Sequence, residues 1–130
     1  MSQARWDRRR FPRWRAWGWL SGWIGEDMKV SVMDISQGGV LIEHPSQMRP
    51  GTVCLVNLSL RGEKASLKGR VVRSGVYRYE TWPVGERSSI CRTGLDLIEV
   101  PDLSRRLVRN YITFLEEVAA KYRNRSSAVA

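Results

Sequence analysis

Two short stretches of this 130-residue chain carry residue types and spacings able to do chemistry. The first is Asp34-Ile35-Ser36-Gln37-Gly38-Gly39, a polar turn between two runs that read as strands. Asp and Ser side chains can fold onto nearby backbone N–H groups, and paired glycines permit backbone angles that other residues resist. The second lies about twenty residues upstream, the arginine block Arg8-Arg9-Arg10-Phe11-Pro12-Arg13. Residues 1–15 hold six arginines and one aspartate, a local excess of five in a formal net charge of +9. A block of this kind is a solvated tail or a site for an anion. A purely electrostatic binder has no need of a carboxylate near its basic site, so Asp34 and Ser36 set this pairing apart.

Other chemistries lack their parts. Cys54 and Cys91 stand singly, without Cys-x-x-Cys spacing, and His44 is the only histidine, so four-fold zinc coordination cannot be completed. Two buried thiols in a reducing compartment are expected rather than a disulfide. His44, beside Pro45 in a loop, reads as a solvated imidazole. There is no Gly-x-Ser-x-Gly, no His/Cys pairing and no Walker-type glycine loop with its lysine. Glu116 and Glu117 are adjacent on a helix and point apart, so they form no acid/base pair. The chain reads as a binding protein with no cofactor, not an enzyme.

Arg8-Arg9-Arg10-Phe11 also has the form of a twin-arginine export signal. Trp14 to Ile24 is short, broken by Arg15, and followed by Gly25-Glu26-Asp27 rather than a small-residue cleavage site. No run approaches the ~18 apolar residues of a membrane span. The expected location is the cytoplasm.

The elements that must position these residues read mostly as strands. In Trp14 to Ile24, Trp17, Trp19 and Trp23 share one face by period two, and Ala16, Gly18, Leu20 and Gly22 share the other. The rings are expected to pack in a core or an interface, with a base-stacking platform as the alternative. Gly25-Glu26-Asp27 turns the chain into Met28 to Met33, and Val40 to Glu43 follows the polar turn. Thr52 to Leu60 alternates and is apolar enough for a central strand, and Arg61 to Lys64 reads as a hairpin loop. Ala65 to Arg73 and Ile90 to Ile98 are strands on either side of residues 74–89, the least regular part, where Tyr77 and Tyr79 can extend the earlier strand. Pro101-Asp102 starts a helix that Asp102 or Ser104 can cap. Its apolar stripe is Leu103, Leu107, Tyr111, Leu115, Val118 and Tyr122, with Arg105, Arg106 and Arg109 on a solvated face. At this length one compact domain is expected. It divides into a flexible arginine-rich leader (1–13), a barrel with its helix (14–123) and a disordered tail (124–130). Short antiparallel strands followed by one amphipathic helix imply a mainly β protein, a small six-stranded antiparallel barrel closed by a C-terminal helix.

Read together, the two stretches resemble the PilZ domain, the receptor module for the bacterial second messenger cyclic di-GMP. That family carries Arg-x-x-x-Arg near its start, here Arg9-Arg10-Phe11-Pro12-Arg13. It carries Asp/Asn-x-Ser-x-x-Gly about one strand-pair later, here Asp34 to Gly39. Gly51-Thr52-Val53, Gly69-Arg70-Val71-Val72, Gly94-Leu95-Asp96-Leu97 and the terminal helix extend the likeness over about residues 8–115. The chain departs from the pattern in its longer excursion at 74–89 and in Leu97, where the family often has phenylalanine.

The resemblance implies cyclic di-GMP as ligand, bound by Arg8, Arg9, Arg13, Asp34, Ser36 and Gly39. The residue types suit it. An arginine fork meets O6 and N7 of guanine or a phosphate, and can stack on the purine. Asp34 can accept from N1–H and the 2-amino group, Ser36 can add a polar contact, and Gly39 permits close backbone approach. An arginine just before Arg-x-x-x-Arg goes, in that family, with an intercalated pair of ligands. Arg8 stands there, so two molecules per domain are implied. The expected role is a stand-alone receptor that signals to an unidentified downstream protein. The alternative is a small basic RNA- or DNA-binding barrel, with arginines on phosphates and tryptophans on bases. The Asp34/Ser36 pair argues against nucleic acid as the partner.

Overall fold

A computed structural model describes residues 14–81, 83, 85 and 87–129, with the side chains of 20–81, 83, 85 and 87–123. Six antiparallel strands and one helix follow in order: β1 Trp14–Ile24, β2 Met28–Ile35, β3 Gly39–His44, β4 Val53–Leu60, β5 Glu63–Thr81, β6 Arg87–Glu99 and α1 Asp102–Val129. The strands close into a barrel in the ring order β1-β2-β3-β6-β5-β4. Closure rests on a short seam in which Gly22, Trp23 and Ile24 of β1 face Leu58, Asn57 and Val56 of β4. A Cβ on Gly22 would stand 2.6 Å from the Asn57 carbonyl oxygen, so only glycine lets the two strands approach this closely.

Strand alternation fills the interior. Val30 and Val32 of β2, Val40 and Ile42 of β3, Val56 and Leu58 of β4, Leu67 and Val71 of β5 and Leu95 of β6 are all buried. In β2 the alternation changes phase. Val32 pairs with Ile42 but Asp34 pairs with Leu41, leaving Met33 as one extra residue. Without that bulge, positions 30, 32 and 34 would all point inward. With it, Ile35 is fully buried and Asp34 is half-buried, on the outward face. Arg61 and Gly62 alone make the β4–β5 connection, both at positive φ (53° and 88°), so Glu63 and Lys64 already belong to β5.

Helix α1 packs against β5, β1 and β4. Its buried residues are Ser104, Val108, Tyr111, Ile112 and Leu115. The expected stripe is thus rotated by one position, because Leu103 and Tyr122 are exposed. The reason is Ser104, whose hydroxyl donates to the Ser66 carbonyl (2.8 Å) and accepts from its N–H (3.1 Å). Ladder pairing of β5 with β6 ends at Lys68–Glu99, so Ser104 satisfies backbone that β6 leaves unpaired. Ser104 is therefore no cap. Arg105, Arg106 and Arg109 are exposed as expected, and helical backbone continues to Val129 where a tail was expected from 124.

Three further expectations differ from the structure. Trp23 is 44 % exposed, because its side of β1 is the outer wall and Leu20, Gly22 and Ile24 take the interior. His44 is not solvated: it ends β3 with its side chain turned inward, 3 % exposed, Nε2 against Thr93 Oγ1 at 2.5 Å. Residues 74–81 and 87–93 are strand, paired with one register shift between Val76 and Arg78; residues 91–93 also pair with β3, so only 78–81 and 87–90 stand out as a two-stranded arm. Both cysteines are free, Cys91 buried and Cys54 half-buried, where burial pushes its thiol pKa up. The leader, residues 1–13, lies outside the described residues, as do the side chains of Trp17 and Trp19.

Candidate ligand-binding turn and outer wall

The β2–β3 connection is built around one hydroxyl. Ser36 is 4 % exposed, and its Oγ accepts from the N–H groups of both Gly38 and Gly39, each at 3.1 Å. Its own N–H donates to the Gly39 carbonyl (2.9 Å), toward which the hydroxyl also points at 3.4 Å. The Gly38 carbonyl accepts from Leu97 N–H of β6 at 2.9 Å, which ties the turn to the neighbouring wall. Neither Gly38 nor Gly39 takes a positive φ, so the freedom expected of paired glycines is not what shapes the turn. The Ser36 side chain does that. Its hydroxyl is engaged within the turn rather than presented outward.

Asp34 and Gly39 flank this turn from the ends of two strands. Asp34 stands opposite Arg15 in β1 and Leu41 in β3. Leu41 in turn faces Gly94 of β6, and Gly94 faces Arg73 of β5. One row across the outer wall therefore reads Asp34, Leu41, Gly94, Arg73. The adjacent row reads Gly39, Asp96, Arg70. Gly94 places no side chain between Leu41 and Arg73, and its own position in the wall is buried. Sequence reasoning assigned no role to Arg70, Arg73 or Gly94. An unaccompanied glycine inside a strand was the signal that could have marked this row.

Where residues 1–13 join the described fold is fixed by register. Trp14 opens β1 and is the cross-strand partner of Ile35, immediately before Ser36. Arg8, Arg9 and Arg13 themselves lie outside the described residues.

Further along the same wall, Glu43 of β3 accepts from Arg92 Nε (2.9 Å) and Nη2 (2.8 Å) of β6 and from Arg78 Nη1 (3.1 Å) of the arm. The Arg92 guanidinium also covers the Tyr77 ring at 3.6 Å. This cluster holds the arm against the barrel. On the inner side, Thr93 Oγ1 donates to Ser74 Oγ (2.7 Å), which accepts from Met48 N–H (2.9 Å). His44 joins this chain through Thr93, and burial pushes its pKa down.

Among the described residues no group of three or more His, Cys, Asp or Glu could hold a metal ion, and no helix is long and apolar enough to cross a membrane.

The sequence profile of the PilZ domain matches residues 7–114, most of the chain. The chain belongs to the PilZ domain family. Two solved structures share the fold. One is the PilZ domain of YcgR from Escherichia coli, solved with c-di-GMP. It superposes with a TM-score of 0.67 at 16 % identity, over 90 % of this chain and 98 % of that one. Another is MrkH, described as a c-di-GMP-dependent transcription regulatory factor, at a TM-score of 0.61 and 17 % identity, over 83 % of this chain and 51 % of that one. No curated protein matches the sequence. The PilZ match takes in Arg9, Arg13 and the whole of the Asp34 to Gly39 turn.

Proposed function

We propose that this PilZ domain is a receptor for cyclic di-GMP that acts by binding and not by catalysis. The observation that carries the reading is the register of Trp14 with Ile35. It makes the arginine-bearing segment continuous with the strand end beside the Asp34–Gly39 turn. Arg13 is the residue before Trp14 and Arg9 is five residues before it, a maximal reach of about 18 Å. Both can meet a ligand lying on the row of Asp34, Leu41 and Gly94.

In this arrangement Arg9 and Arg13 take guanine O6 and N7 or a phosphate, and Asp34 accepts from the N1–H and 2-amino group of guanine. Ser36 works through shape, fixing the backbone of Gly38 and Gly39 at the strand end beside Asp34. Arg70 and Arg73 add positive potential to the same wall. Arg8 supplies the extra cation that a stacked pair of dinucleotides, with four phosphates together, demands. Ordering of residues 8–13 around the ligand is the signal read by a downstream protein. Calorimetric titration of the full chain with cyclic di-GMP, at two salt concentrations, tests the reading. Saturable binding that survives the higher salt supports it, and binding abolished by moderate salt would indicate a merely electrostatic site.

A further inference from the structure

Past the barrel, the two strands of the arm keep each other but lose their second neighbours. β3 ends at His44 opposite Cys91, so β6 has no ladder partner on that side over 87–90. The β4 ladder reaches β5 only at Arg70 opposite Val53, and backbone bonds of Gly51 and Thr52 extend it to Val71. Gln47 and Met48 carry that side on to Ser74. Among the described residues, β5 therefore presents a second bare edge over 76–81. Bare strand edges are templates for a further strand.

The two edges differ in what they offer. Arg87-Ser88-Ser89-Ile90 of β6 carries a single charge. Val76-Tyr77-Arg78-Tyr79-Glu80-Thr81 of β5 is exposed at every residue, with Tyr77 and Tyr79 at 56 % and 55 %. Tyrosine and arginine are enriched at the energetic centres of interfaces. The β5–β6 ladder is regular from Arg78 to Thr81, and Arg87 covers the Tyr79 ring at 4.1 Å, so this stretch is a firm template.

Its charges make the β5 edge complementary to itself. When two copies pair antiparallel with Tyr79 facing Tyr79, Arg78 of each chain faces Glu80 of the other. The two-fold axis forms both ion pairs at once. Centring the pair on Arg78 or on Glu80 instead sets like charges face to face, which is unfavourable. The charge order thus selects one register. Arg78 already contacts Glu43 (3.1 Å) and Glu80 (3.5 Å), yet its side chain stays 43 % exposed and that of Glu80 46 %. A guanidinium has donors left for a further carboxylate.

We propose that the β5 edge of the arm, centred on Tyr79, pairs antiparallel with the same edge of a second copy of this chain, joining two barrels through a four-stranded ribbon. The seam over 77–81 is short beside the roughly 20–30 residues a side of a standard interface, so the dimer is weak and depends on concentration. The proposal does not depend on which ligand the Asp34 turn takes.

Sedimentation of the full chain over a concentration series reads the association, and single substitutions read the register. Wild type should pass reversibly from monomer to dimer. Glu80→Arg sets like charges opposite each other twice and should weaken the dimer by about tenfold or more. Tyr79→Cys should form an interchain disulfide under mild oxidation, because facing Cα atoms in this pairing lie about 4.5–5.5 Å apart. Tyr77→Cys should not, since its counterpart lies four positions along the seam, roughly 13 Å away. Wild type, with Cys54 half-buried and Cys91 buried, gives the baseline. A monomer at every concentration up to about 1 mM would overturn the proposal. So would a dimer indifferent to Glu80→Arg, or equal cross-linking of the two cysteine variants.

Discussion

Trp14, the first residue of β1, stands directly across the ladder from Ile35, the last residue of β2. This one pairing joins the two motifs of the sequence. It sets Trp14, the residue that follows Arg13 in the sequence, at the strand end from which the Ser36 turn departs.

Ser36→Ala should cost about 1–3 kcal/mol of stability, because the part-buried N–H of Gly38 and the buried N–H of Gly39 lose their acceptor. Denaturant unfolding of the apo protein measures this. The variant should also weaken cyclic di-GMP, since the turn no longer holds its shape. Loss of affinity without loss of stability would show that the hydroxyl contacts ligand directly.

Asp34→Ala should weaken guanine cyclic dinucleotides more than adenine ones, because the carboxylate serves the donor edge of guanine. Arg13→Ala removes a bidentate contact worth roughly 1–3 kcal/mol, or about ten- to a hundred-fold in affinity. Competition between cyclic di-GMP and cyclic di-AMP reads both effects. Equal loss for the two ligands in Asp34→Ala would remove Asp34 from base recognition.

Gly22→Ala should destabilise the barrel by about 1–3 kcal/mol, the usual range for an added group with no room. The new Cβ meets a backbone oxygen at 2.6 Å, and the β1–β4 seam has few other pairs to compensate. A shift in the urea midpoint of the free protein is the readout.

His44 gives a pH dependence. Burial holds its folded-state pKa below the ordinary value of 6.5, which the unfolded chain retains. Above 6.5 both states are neutral and His44 contributes no slope. As pH falls below 6.5 the unfolded state takes up a proton that the folded state refuses, and stability drops by at most about 1.4 kcal/mol per pH unit from this residue. Comparing unfolding at pH 7.5 and 5.5 for wild type and His44→Gln checks it. The difference between the two proteins should shrink as pH falls.

The leader has its own test. Hydrogen exchange across residues 8–13 should slow at saturating ligand, and Arg8→Leu should bind one equivalent of cyclic di-GMP where the wild type binds two. Unchanged exchange would remove the clamp. One equivalent in both proteins would remove Arg8 from the site.

The six strands and the closing helix were legible because apolar runs bounded by turn residues mark the strands and a stripe of helical spacing follows Pro101-Asp102. The Asp34–Gly39 turn was legible because residue types rather than geometry announce it. What escaped were places where a long-range partner decides. The extra residue at Met33 turns Asp34 outward, and no local pattern reports a bulge set by pairing with Leu41 and Ile42. Ser104 looked like a cap because its backbone partner, Ser66, is distant in sequence. His44 looked solvated beside Pro45 because Thr93 and Ser74, which accept it into the interior, come from β6 and β5. Arg70 and Arg73 were hidden as ordinary outward residues of a strand until register placed them beside Asp96 and Gly94.

The most direct measurement is calorimetric titration of the full chain with cyclic di-GMP, with protein well above the dissociation constant, in parallel with cyclic di-AMP and with Arg13→Ala. The account predicts saturable, selective binding of cyclic di-GMP that the arginine variant weakens by about ten- to a hundred-fold. No heat of binding, or equal affinity for cyclic di-AMP, would contradict it.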